Sequence, residues 1–174
     1  EQALSAVRSG NRVFVQGSAQ TPLYLLRELA KRAPVLRNVE LTFITLQGHI
    51  ELDKPEYADS FHINCMFVSQ SVRTAVNEGR ADFIPVFLSD IPDLFRGLLH
   101  IDVALVQVSP PDKHGYCSLG VSVDIARSAV NTATHIIAQV NPRVPRTHGD
   151  SLIHTKRFSS MVYHEEELPE VDYG

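Results

Sequence analysis

The chain is predicted to be α/β, with a mostly parallel open sheet and helices on both of its faces. Short β-branched apolar runs alternate with segments whose apolar residues recur at three- and four-residue steps, the pattern of strands joined by helical crossovers. One run, Ile101 to Val108, is almost continuously apolar, as expected of a central strand covered on both sides. Neither an internal repeat nor a low-complexity tract interrupts the alternation.

Leu4 and Val7, followed by Ser9-Gly10-Asn11, predict the end of a short helix closing into a turn. Val13, Phe14 and Val15 predict the first strand. It leads through Gln16-Gly17-Ser18-Ala19-Gln20 to Thr21 and Pro22, which read as an N-cap and a first-turn proline. Leu25, Leu26, Leu29, Ala30 and Ala33 then share one helical face, with Arg27, Glu28, Lys31 and Arg32 on the other. Val39 to Leu46 predicts a second strand, Gln47 to Ser60 a polar excursion containing Pro55, and His62 to Phe67 a third strand. Ser69 is placed to cap a helix in which Val72, Ala75 and Val76 share a face and which Gly79 ends.

Asp82 to Phe87 predicts the next strand, and Ser89 and Asp90 offer a cap for a short helix through Leu94 and Phe95 that stops near Gly97. After the strand ending at Val108, Ser109-Pro110-Pro111-Asp112-Lys113-His114-Gly115 cannot continue the ladder, because two prolines remove donors. Polar groups therefore collect at the carboxyl end of a central strand, where open α/β sheets bind ligands. Tyr116 to Val123 predicts a further strand running into a helix whose Ala126, Ala129, Val130 and Ala133 form a small-residue face. Thr134 to Val140 is the last strand expected. Beyond Asn141-Pro142-Arg143-Val144-Pro145 the pattern weakens, and His164 to Pro169 reads as an exposed segment.

With 174 residues the chain is long enough for one domain or for one lobe of a larger protein, and the lobe is expected. A composition of 44% hydrophobic and 21% charged residues, with a net charge of −4, describes an ordinary globular protein. Its densest basic groups, Arg27 with Lys31 and Arg32, and Arg143 with Arg146, are too small for a nucleic-acid footprint. Cys65 and Cys117 fall in predicted strands without CxxC spacing, so they read as buried, unpaired thiols of a reducing compartment. No apolar run approaches the roughly 20 residues needed to span a bilayer, and the start lacks a signal-peptide pattern. The expected location is cytoplasmic, with no membrane association.

The best local site candidate is Gln16 to Pro22. It lies between a strand and a helix start, where free N–H groups and the helix dipole favour an anion or a developing oxyanion. It holds a single glycine, so it is neither a dinucleotide fingerprint nor a P-loop, and a turn that binds nothing fits it equally well. Asp112-Lys113-His114-Gly115-Tyr116 gathers a carboxylate, a cation, an imidazole and a phenol, yet a solvated turn explains it better than a site unless a pocket aims one at substrate. The eight histidines lack HxH and HExxH spacing, so no metal is expected. Ser18 has no GxSxG elbow and reads as a cap or hydrogen-bond donor. Glu51, Asp53 and Glu56 read as a solvated loop.

Three blocks carry a family resemblance: Val13 to Arg32 (VFVQGSAQTPLYLLRELAKR), Asn64 to Phe95 (NCMFVSQSVRTAVNEGRADFIPVFLSDIPDLF) and Asp102 to Asp124 (DVALVQVSPPDKHGYCSLGVSVD). In these the chain resembles the N-terminal half of the acetyl-CoA hydrolase/transferase branch of the family I CoA-transferases, most like those acting on 4-hydroxybutyrate or acetate. The resemblance implies a CoA-transferase-like lobe over residues 1–160, and a linker over 161–174 leading to a C-terminal lobe that this chain lacks. It implies transfer of CoA between an acyl-CoA and a short-chain carboxylate through a glutamyl-CoA thioester. CoA is then a substrate rather than a resident cofactor, and the protein is a homo-oligomer. The nucleophilic glutamate belongs to the other lobe, so no catalytic residue is assigned here and the fragment alone is expected to be inactive. By the same resemblance, Gln16, Gly17, Ser18 and Ala19, with Met66, Phe67 and Val68 and the His114-Gly115-Tyr116 turn, line the acyl or carboxylate side of a cleft between lobes. Arg73 and Asp124 are expected to be fixed structural partners. Two alternatives stand beside this reading: an acyl-CoA hydrolase of the same family, and a non-enzymatic effector-binding module, against which the lack of a DNA-binding helix pair and of basic bias weighs.

Overall fold

Val13, Val15, Leu41, Phe43, Ile63 and Cys65 pack with one apolar cluster, while Phe14, Ala104, Val106, Ile136 and Ala138 pack with another. Successive side chains of a strand point to opposite faces, so these two clusters are the two sides of one sheet. The computed structural model describes residues 2–170. Its elements run β1 (Arg12–Val15), α1 (Leu23–Ala30), β2 (Val39–Phe43), β3 (Phe61–Cys65), α2 (Arg73–Asn77), β4 (Ala81–Phe83), α3 (Ile91–Arg96) and β5 (Val103–Val108). There follow β6 (Tyr116–Ser118), α4 (Ala126–Thr132), β7 (His135–Val140), β8 (Leu152–His154) and β9 (Ser160–Tyr163).

Seven strands form a sheet in the order β4-β3-β2-β1-β5-β7-β9, with every pairing parallel. Val13 of β1 stands beside Leu41 of β2 and Val103 of β5, which makes β1 the strand from which the chain winds in both directions. Helices α1 and α2 cover the first face and α3 and α4 the second, as expected. Leu25, Leu26 and Leu29 of α1 are buried, each adding roughly 1.5–3 kcal/mol of apolar transfer. On the opposite face Phe95 of α3 meets Phe14 edge-on at 5.7 Å. Every residue of β5 is buried, as its apolar run requires.

Several boundaries differ from expectation. Thr21 does not cap α1: its hydroxyl donates to Ser18 O at 2.7 Å and accepts from Gln47 N, while Pro22 occupies the cap position. Ser69 likewise makes no side-chain cap for α2, its hydroxyl lying 2.8 Å from that of Ser71. β4 stops at Phe83, two residues before Pro85, which has no N–H to give a ladder. The strand expected over Tyr116 to Val123 is three residues long and lies outside the main sheet, paired antiparallel with β8. Leu119 N–H donates to Ser151 O, and Gly120 at φ +71° turns the chain away.

The expected boundary at 160/161 cuts through β9, in which Ser160 to Tyr163 pair with Ile137 to Val140 of β7. The lobe thus continues past it. Met161 and Tyr163 are exposed and only Val162 packs on the core, so this edge strand leaves little apolar signature. The last four positions of the expected linker, 171–174, lie outside the described residues.

Candidate functional site

The direction of winding reverses between β1 and β5, and a crevice at the carboxyl ends of such a pair is where open α/β sheets commonly take a ligand. Here amide side chains fill it. Gln16, fully buried, donates through Nε2 to the carbonyls of Leu119 and Ser122 at 2.9 Å each, and its Oε1 accepts from Gln107 N at 2.8 Å. Gln20 Nε2 donates to Gln107 O at 2.9 Å, and Gln107 Oε1 accepts from Gln139 Nε2 at 3.1 Å and Asn141 Nδ2 at 2.8 Å. A Cβ at Gly120 would stand 2.6 Å from the Gln20 amide, so glycine lets the 119–122 turn close over the crevice.

The start of α1 is equally occupied. Leu23 N–H donates to Thr21 O, Tyr24 N–H to Glu166 Oε1, Leu25 N–H to Gln139 Oε1 and Leu26 N–H to Pro22 O. In the preceding loop, Ser18, Gln20 and Thr21 N–H groups go to Thr45, Gly17 and Ser18 carbonyls. Ser18, Gln20, Thr21 and the first turn of α1 thus spend their N–H groups internally, and the anion at this helix end is the protein's own Glu166.

The open space lies one strand over. Ser18, Thr45, Leu46, Gln47, Gly48, Phe67, Ser69, Gln70, Ser71 and Glu170 line a cleft of about 630 Å³ beyond the carboxyl ends of β1, β2 and β3. Its two walls are stitched together: Ser18 N–H donates to Thr45 O at 2.9 Å, Ser18 Oγ lies 3.3 Å from Thr45 Oγ1, and Ser71 Oγ donates to Leu46 O at 3.0 Å. Ser18 adopts φ +54°, a left-handed conformation a serine rarely takes, and Gly17 before it has no room for a side chain. Phe67 is 60% exposed, its ring offered to the cleft rather than to the core. Glu170 is the one ionisable group among the lining residues, so the cleft offers no cation, and Leu46 and Phe67 suit it to partly apolar groups.

Of the residues singled out from sequence, Ser18 and Phe67 share this cleft, with Gly17 behind it and half-buried Ala19 between Ser18 and the buried Gln20. Gln16 is committed to the amide network. Met66 belongs to the core beside Phe14, and Val68 packs on the core under α1 and α2.

His114, Gly115 and Tyr116 do not line the cleft. They form a separate turn in which Asp112 Oδ1 accepts from His114 N and Tyr116 N, Arg146 Nη2 donates to Asp112 Oδ2, and the Tyr116 ring meets His154 edge-on. The Tyr116 N–H, followed by His114 N–H and Arg146, holds the Asp112 carboxyl below its ordinary range, which makes it an anchor and not a proton donor.

Asp124 fixes the start of α4, its Oδ1 accepting from Ala126 N and its Oδ2 from Ser122 Oγ, whereas Arg73 is exposed on α2. Both cysteines are buried and free, and burial pushes the Cys117 thiol up to about 11. Among the described residues no group of His, Cys, Asp and Glu could hold a metal ion, and no helix is long and apolar enough to cross a membrane. Thr45 to Gly48, Ser69 to Ser71, Glu166 and Glu170 were not expected at a site. The carboxyl-end argument, applied to the loops after the second and third strands, points to the first two groups.

Comparisons with known proteins converge on the same architecture. The acetyl-CoA hydrolase/transferase N-terminal domain family matches residues 1–171. A succinyl-CoA:acetate/propanoyl-CoA:succinate CoA transferase of Fasciola hepatica is 41% identical over 92% of this chain and 34% of its own length. The 4-hydroxybutyrate coenzyme A transferase of Clostridium kluyveri is 39% identical over 93% of this chain and 38% of its own. The chain thus spans little more than a third of these relatives. Among solved structures, RipA from Yersinia pestis superposes with a TM-score of 0.90 at 25% identity, covering 99% of this chain and 43% of RipA. A 4-hydroxybutyrate CoA-transferase from Porphyromonas gingivalis gives a TM-score of 0.71 at 26% identity, covering 98% of this chain and 39% of that one. By fold, and by a match across almost its whole length, the chain belongs to the acetyl-CoA hydrolase/transferase family, as its N-terminal domain.

Proposed function

We propose that this chain is the acyl-binding part of a CoA-transferase that moves CoA between an acyl-CoA and a short-chain carboxylate. The cleft is the observation that carries the reading. Hydroxyl and amide groups of Ser18, Thr45, Gln47 and Ser69 to Ser71, with the exposed ring of Phe67 and the single carboxyl of Glu170, make a container that holds no cation. Such a lining fits a short acyl group and offers no cation for the phosphates of CoA. The names of the relatives supply the reaction class.

The reaction needs an attacking group, and we assign it to a glutamate in the part of these longer relatives that lies outside the stretch matched here. That carboxylate attacks the thioester carbonyl, giving an acyl-glutamyl anhydride and CoA thiolate. The thiolate attacks the glutamyl carbonyl, releasing the first carboxylate and leaving glutamyl-CoA thioester. The acceptor carboxylate then reverses both steps, displacing the thiolate and receiving it on its own acyl carbon. A carboxylate is a weak nucleophile in water, so the cleft walls serve by excluding water and holding the acyl group in line.

Two measurements test this. Full-length protein is expected to exchange CoA between acyl-CoA and carboxylate, while the fragment 1–174 does not; substantial acyl-CoA turnover by the fragment would sink the assignment. Borohydride is expected to inactivate the full-length protein only after acyl-CoA is added. Acyl-CoA loss without sensitivity to borohydride would favour direct hydrolysis by water.

A further inference from the structure

After β9 the chain crosses the carboxyl edge of the sheet and arrives at the cleft. His164 N–H donates to Val140 O at 3.0 Å, and its ring stacks on Tyr24 with centroids 4.0 Å apart. Glu166 makes the densest set of ties. Its Oε1 accepts from Gln139 Nε2 at 2.7 Å and Tyr24 N at 3.1 Å, its Oε2 from Arg27 Nη2 at 2.7 Å, and its carbonyl from Asn141 Nδ2 at 2.8 Å. Four positions on, Glu170 lines the cleft with Ser18 and Phe67. Among the described residues, the ties of this strap beyond His164 run through side chains rather than main-chain pairs. Glu165 and Glu167 meet Arg143 at exposed positions, where ion pairs contribute little. Pro169 stiffens the last step, its ring fixing φ.

We propose that Glu166 is a positioning residue: by fastening the strap to α1 and β7 it sets where Glu170 stands, and thereby how much acyl chain the cleft admits. The inference rests on the reading of the cleft as the acyl site. A loosened wall changes discrimination between acyl lengths more than it changes binding in general, because each methylene held against an apolar wall, here Leu46 and Phe67, is worth about 10- to 200-fold when the fit is tight.

The test uses full-length enzyme and the ratio of kcat/KM for butyryl-CoA to that for acetyl-CoA. Loss of folded enzyme lowers both values alike and cancels in the ratio, so a merely structural role leaves it unmoved. Glu166→Ala is expected to shift the ratio on the order of tenfold towards butyryl-CoA, and Glu166→Gln and Arg27→Met by at least about threefold. Arg27→Met alters the same tie from the solvent side of α1, so the test stands even if the Glu166 variants fold poorly. Ratios within about twofold of the parent in the folded variants overturn the proposal. Phe67→Ala separates the two ideas. If it shifts the ratio while the strap variants do not, the role of Glu166 falls and the cleft reading stands; if it too leaves the ratio unchanged, the cleft reading falls as well.

Discussion

A Cβ placed on Gly17 would sit 2.4 Å from the carbonyl oxygen of Thr45, closer than any side chain tolerates. The contact lies where the loops after β1 and β2 are joined by the Ser18 N–H to Thr45 O bond, so the two cleft walls cannot be separated without cost. Gly17→Ala is expected to destabilise the protein by about 2–3 kcal/mol, because the obstacle is backbone and not a side chain that can swing away. A lowered urea midpoint at unchanged slope checks this.

Removing the Gln16 amide is expected to be as costly. Gln16→Leu keeps volume but leaves Gln107 N–H and the carbonyls of Leu119 and Ser122 short of a partner in a fully buried place. Two or three orphaned groups imply a loss of about 2–4 kcal/mol in chemical denaturation. A loss below 0.5 kcal/mol would mean that water replaces the amide, on the order of what exposed sites show.

Glu166 also ties stability to pH. Burial raises its pKa, but the bonds from Arg27, Gln139 and Tyr24 N–H outweigh that, and the carboxyl ends below its ordinary value of 4.5. A carboxyl depressed in the folded state stabilises above its unfolded value, and that stabilisation is lost as pH falls through the folded value. The melting-temperature difference between parent and Glu166→Gln is therefore expected to be largest near about pH 6 and to shrink towards about pH 3. A gap that stays constant over this range would show that the charge is not what matters.

Cys65 and Cys117 are buried, and burial raises both thiols above their ordinary value of 9.0. Since the thiolate is the reactive form, neither is expected to react with a maleimide or aromatic disulfide in the native protein at neutral pH. Both should titrate once denaturant is added. Rapid native labelling of either would contradict the packing around β3 or β6.

The parts of the fold legible in the sequence are those with dense apolar periodicity. Leu25, Leu26 and Leu29 announce α1, and Val103 to Val108 announce a strand buried on both sides. What escaped is held by polar or sparse contacts. β9 buries only Val162, and Glu166 reads as one more acid in an exposed acidic run although its partners Tyr24, Arg27 and Gln139 surround it. The candidate site was half legible for the same reason. Ser18 lies in an obvious loop after the first strand, whereas Thr45 and Gln47 become site residues only because β2 stands beside β1.

The amides at the beginning of α1 find their acceptors far downstream: Tyr24 and Glu166 are separated by 142 positions, and Leu25 and Gln139 by 114. A ribosome adding about 5–20 residues per second needs on the order of ten seconds between making the donor and making its acceptor. Until those acceptors are made, the Tyr24 and Leu25 N–H groups at the first turn of α1 are without their native partners. Vectorial synthesis thus makes the first turn of α1, begun early in the chain, one of the last places in this domain to gain its full set of acceptors.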